Sequence, residues 1–98
     1  ENALTVQFNH RILAYALVVY ASIHGMLIAR NARQGAIAVS AALLVCAVWL
    51  QAALGVATLL AKVPISLGLA HQGMAVVVFA LSLFHLSRLL PAPARDPR

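Results

Sequence analysis

Long apolar runs separated by short polar breaks dominate this chain. Three stretches carry no formal charge, spanning positions 12–29, 34–61 and 63–87. A helix needs about 20 predominantly apolar residues to cross the hydrocarbon core of a bilayer, and each run can supply that. Inside lipid no water satisfies the backbone, so a run of this kind resolves into a helix that pairs its own N–H and C=O groups. The pattern therefore predicts an all-α integral membrane fold with three transmembrane helices. They run from about Val6 to Ala29, Ala36 to Leu60 and Ser66 to Leu90.

The breaks set the connectivity. "RNARQG" is short, which makes the first two helices antiparallel neighbours. "AKVPIS" contains Pro64, whose ring disfavours the helical region at Val63 and separates the second helix from the third, with Ser66 as a candidate cap. The tail "PAPARDPR", residues 91–98, holds three of the four prolines and reads as a disordered cytoplasmic end. Ala and Gly dominate "QGAIAVSAALLVCAVWLQAALGVATLL", as in membrane helices that pack by close backbone approach. Gly55, Gly68 and Gly73 leave room either for a neighbouring helix or for a flat cofactor.

Composition sharpens this picture. Hydrophobic residues make up 63% of the chain and charged residues only 9%, against about 25% charged in soluble domains. The net charge of +5 does not point to nucleic acid, because the cations sit at the ends of the apolar runs. Arg30 and Arg33 lie between the first two helices, and Arg88, Arg95 and Arg98 follow the third. The positive-inside bias places these on the cytoplasmic or matrix side, with residues 1–8 and 61–66 opposite. Cys46 is alone, which excludes an internal disulfide, and its mid-span position reads as a small buried apolar residue. The chain opens on Glu1 with neither an initiating Met nor a basic leader, which suggests a piece of something longer.

The histidines carry the candidate chemistry. His10 and His24 lie in the first helix and His71 and His85 in the third, with the same spacing inside each pair. That spacing is close to a whole number of helical turns, so it returns to one helix face about 21 Å further along. The two helices run the same way, so His10 matches His71 in depth near the outer surface, and His24 matches His85 near the inner one. Ionisable side chains inside a membrane mark function by default. Two imidazoles facing each other at matched depth are what bis-histidine haem ligation requires, and the absence of nearby acidic or thiol ligands argues against zinc. Arg11 is placed to pair with a haem propionate, and Gln72 to orient a ligand or a propionate. His24 and His85 read separately as interfacial residues reaching water; taken as a pair, they are candidates for a second haem.

The flanks of these histidines resemble one family. "ENALTVQFNHRILAY" and "QAALGVATLLAKVPISLGLAHQ" are similar to the C-terminal half of haem A synthase, with "VQFNHR", "LGxxTLLxxVP" and "AHQ" in that order and spacing. The resemblance covers residues 1 to about 90. It implies two fused four-helix bundles, the C-terminal one holding haem b and the other receiving haem O, whose C8 methyl is oxidised to the formyl group of haem A for cytochrome c oxidase. His10 and His71 match the two axial ligands of haem b, whereas His24 and His85 match no ligand position. Residues 1–90 would then be three helices of a four-helix bundle, and three alone would leave the haem exposed on one side. Without the substrate half, such a piece of the oxidoreductase would be inactive by itself. The resemblance also implies a bacterial plasma membrane or mitochondrial inner membrane. It implies partnership with the lipid bilayer, haem O, haem O synthase and oxidase assembly factors. A di-haem cytochrome b-like electron-transfer module that uses both pairs is the alternative.

Overall fold

A computed structural model describes residues 2–31 and 35–91. Three helices are formed: α1 Ala3–Asn31, α2 Ala36–Leu60 and α3 Ile65–Leu89. Each is long and apolar enough to cross a membrane. The expected boundaries match those of α2, while α1 runs further at both ends. Its start is fixed by Asn2, whose Oδ1 accepts a hydrogen bond from the Thr5 N–H at 2.9 Å, a side-chain cap on an otherwise unpaired donor. At the other end Asn31 donates through Nδ2 to the Leu27 carbonyl at 2.8 Å. Ser66 does not cap α3: the helix begins at Ile65, with Pro64 as the extended residue before it. Proline's preset φ and missing N–H suit a helix entry, so the hydroxyl is not needed there. Of the tail expected to be disordered, residues 92–98 lie outside the described residues, as does Arg33.

The turn from α2 to α3 is tight. The Val63 N–H bonds the Thr58 carbonyl at 2.8 Å and the Lys62 N–H bonds the Leu59 carbonyl at 3.1 Å, the paired bonds of a Schellman ending. That ending puts Lys62 at φ 64° and Val63 at φ 55°, left-handed positions usually taken by glycine. Pro64 closes the right-handed helical region to Val63, so the chain leaves α2 through this strained corner. Lys62→Gly removes one of the two left-handed side chains. It is expected to raise the thermal unfolding midpoint in detergent, by the equivalent of roughly 1 kcal/mol.

α2 is the centre of the fold. α1 packs on α2 and α2 on α3, but among the described residues no Cα of α1 lies within 8 Å of a Cα of α3. Five of the buried residues, Ser40, Ala41, Ala47, Val48 and Thr58, lie on α2. Small side chains allow the close approach: a Cβ on Gly25 of α1 would stand 2.5 Å from Val45 Cγ2 of α2. Polar cross-links pin the same interfaces. Trp49 donates from its indole N–H to Ser22 Oγ at 3.0 Å, and the Thr58 hydroxyl reaches the Leu67 carbonyl at 3.3 Å as well as Leu54 of its own helix. Cys46 is exposed rather than buried: it lines an open groove between α1 and α2 beside Ser22, Met26 and Trp49. Depth in a membrane is not burial in protein.

Candidate functional site

The separation of α1 from α3 leaves a gap that side chains cross at two levels. At the outer level His10 and His71 face each other with ring centroids 6.3 Å apart and planes at 87°. Two imidazoles holding one metal ion in line at about 2.0–2.1 Å per bond have centroids at a similar separation, roughly 6.3 Å. His71 is half-buried and His10 exposed. His71 leans on Gly55 of α2, where a Cβ would stand 3.1 Å from its Cε1 and 3.5 Å from its Nε2. The glycine at 55 is what lets the imidazole lie there.

His71 Nδ1 is buried and has no hydrogen-bond partner among the described residues. An orphaned buried polar atom costs about 1–3 kcal/mol, a penalty a protein keeps where the atom serves something else. Gln51 Oε1 is the other buried orphan among the described residues, one turn before Gly55 on the same face of α2. Gly68 and Gly73, which flank His71 on α3, would meet nothing within 4 Å if given a Cβ. The site thus offers two imidazoles, one with an unsatisfied ring nitrogen, and open space beside the ring. This suits a planar macrocyclic metal cofactor better than a bare ion, since the described residues contain no cluster of three or more His, Cys, Asp or Glu side chains. Arg11 and Gln72, next in sequence to the two histidines, are both exposed at the same end of the gap.

The inner level is built differently. His24 Nε2 lies 2.8 Å from His85 Nε2, and His85 Nδ1 lies 2.7 Å from Ser40 Oγ. Ser40 donates its hydroxyl hydrogen to the Ile37 carbonyl at 3.0 Å, so its oxygen must accept from His85 Nδ1–H. His85 Nε2 is then a lone pair, and His24 must donate to it from Nε2–H. The expectation of reaching water is corrected for His85, which is 4% exposed; His24 is half-buried. The nitrogens touch directly, which leaves no space for an iron needing about 2.0 Å on each side. Interhelical hydrogen bonds in membranes contribute about 0.6 kcal/mol on average, so this chain orients the helices more than it stabilises them. Sequence reading missed Ser40, Gln51 and the contact between Gly55 and His71. A hydroxyl and an amide within an apolar helix were the available signal for the first two.

Comparison with known proteins gives the family. The family model described as "Cytochrome oxidase assembly protein" matches residues 1–83. Haem A synthase of Rhodopseudomonas palustris strain BisA53 is 53% identical over 91 residues, covering 93% of this chain and 25% of that protein. Haem A synthase of Bradyrhizobium diazoefficiens is 49% identical over 89 residues, covering 91% and 24%. That of Bartonella bacilliformis is 47% identical over 85 residues, covering 87% and 24%. The chain therefore spans about a quarter of the length of the curated relatives it matches. No solved structure matches it. The match over residues 1–83 decides it, and three membrane-length helices accord with it: the chain belongs to the cytochrome oxidase assembly protein family.

Proposed function

We propose that this chain is the haem b-binding part of a haem A synthase, the oxidoreductase that converts the C8 methyl of haem O to the formyl group of haem A for cytochrome c oxidase. The observation that carries the reading is the His10–His71 pair, spaced 6.3 Å between centroids across two helices with no Cα of one within 8 Å of a Cα of the other. His10 and His71 would hold the haem iron, each through an imidazole nitrogen from its own helix. Arg11 would form a forked pair with a propionate, and Gln72 would orient His71 or a propionate. Haem b held here would supply one-electron transfer linked to oxidation in the other half of the protein. Gly68 and Gly73 provide the flat space beside α3, and the apolar faces of α1 and α3 exclude water from it. A fourth helix of the bundle, supplied by the rest of the protein, covers the open side.

Residues 1–8 and the 61–66 turn face outward, and the 30–35 connection and the C-terminus face the cytoplasm, following the arginines. The bilayer in question is a bacterial plasma membrane or a mitochondrial inner membrane. Haem O reaches the other half from haem O synthase, and oxidase assembly factors take the product. The di-haem reading has no support from the inner pair, whose nitrogens are in hydrogen-bond contact at 2.8 Å. Haem extraction and a reduced-minus-oxidised spectrum of the full-length protein test this. One b-type haem assigned to this half is expected, and it is lost on His10→Ala. Retention of that haem after the substitution would refute the assignment.

A further inference from the structure

The hydrogen-bonded chain through Ser40, His85 and His24 lies about 21 Å along the helices from the outer pair, and the function proposed above makes no use of it. We propose that it is a clamp that sets the spacing and rotation of α1 relative to α3 and thereby positions His10 opposite His71. The inference rests on the haem b reading for its purpose, but not for its geometry.

Three observations carry it. First, α1 and α3 each pack on α2, with no Cα of one within 8 Å of a Cα of the other, so their mutual placement rests on α2 and on the side chains that cross the gap. The bond between His24 Nε2 and His85 Nε2 is a direct link from α1 to α3 across that gap. Second, His24 shares a helix face with His10, and His85 with His71, at one common spacing. Fixing the azimuth of each helix at the inner level fixes it at the outer level, because an α-helix is stiff over so short a length. Third, the link is anchored and has one polarity. Ser40, fully buried on α2, holds the His85 ring through Nδ1–H and dictates that Nε2 accepts. His24 must therefore donate. The ring of Tyr20, one turn before it on α1, lies parallel to it at 1° with centroids 6.4 Å apart.

This polarity gives a test that packing alone would not pass. Glutamine at position 24 keeps an N–H donor near the place of Nε2, whereas phenylalanine keeps the ring volume and loses the donor. Spin labels at Leu4 of α1 and Leu69 of α3, both exposed, report the helix separation in the haem-free full-length protein, in a cysteine-free background. Haem titration and the low-spin EPR signal of the loaded protein report the ligand geometry. His24→Gln is expected to retain a narrow distance distribution and the parent's haem affinity. His24→Phe and Ser40→Ala are expected to broaden the distribution and weaken haem binding by about 10–100-fold, the range for outer-shell positioning groups. Should the Phe protein fail to insert, Ser40→Ala removes one hydroxyl and carries the same test. Equal behaviour of His24→Gln and His24→Phe, or an unchanged distribution in His24→Phe and Ser40→Ala, would overturn the clamp. Absence of haem from the parent protein would overturn the haem b reading instead, and the label distances would still decide the clamp.

Discussion

His71→Ala in the full-length protein is expected to abolish the spectrum of the bound b-type haem while leaving thermal stability unchanged or slightly raised. The two halves of that expectation come from the same side chain. His71 supplies one of the two facing imidazoles, and without it His10 stands alone and exposed on α1. Outer-shell losses already cost about 10–100-fold in metal affinity, and removal of a direct ligand exceeds that. Yet the ring adds little to the fold, because its buried Nδ1 has no partner and carries a penalty of about 1–3 kcal/mol. Truncation trades that penalty against lost van der Waals contact with Gly55. Haem quantitation beside a melting curve reads both. A protein that loses stability and keeps its haem would mean that His71 is a packing residue.

Gly55→Val is expected to have the second-largest effect, again on haem retention more than on insertion. A Cβ at position 55 stands 3.1 Å from His71 Cε1, tighter than ordinary van der Waals contact. Alanine requires the ring to give by a few tenths of an ångström, and the protein is expected to bind haem with a shifted spectrum. Valine adds two further methyl groups and drives the imidazole off its position, which should lower haem affinity by about 10–100-fold, as for a misplaced ligand. Gly68→Ala is the control, since nothing lies within 4 Å of its added Cβ, and no change is expected there. The comparison separates the close contact at Gly55 from any general need for small residues. If both alanine variants and the valine variant bind haem equally well, Gly55 serves helix packing alone.

The helices were legible because charge marks their ends: the expected spans meet α2 to the residue and α3 to within one. The pattern reads α1 short at its start because its first residues are polar enough to look like a loop, although the cap at Asn2 is a local signal. The outer histidine pair was legible from spacing, since the interval within each helix returns to one face and the parallel direction of α1 and α3 matches depth. Spacing does not give separation. His10 and His71 stand 6.3 Å apart between centroids, and His24 and His85 only 5.0 Å. For the same reason Ser40 was invisible as a partner. Whether a hydroxyl on α2 lies over a ring on α3 depends on the register of two antiparallel helices, which the intervening turn and the fit of small residues decide. Cys46 shows the other limit, because an apolar face turned to lipid and one turned to protein have the same composition.

The most direct test of the account is low-temperature EPR of the oxidised full-length protein, with and without His10→Ala and His71→Ala. Planes at 87° between the two facing imidazoles predict a strongly anisotropic low-spin ferric signal from one haem, lost in both variants. A low-spin bis-histidine signal that survives both substitutions, or a high-spin signal indifferent to them, would contradict the claim that His10 and His71 hold haem b between α1 and α3.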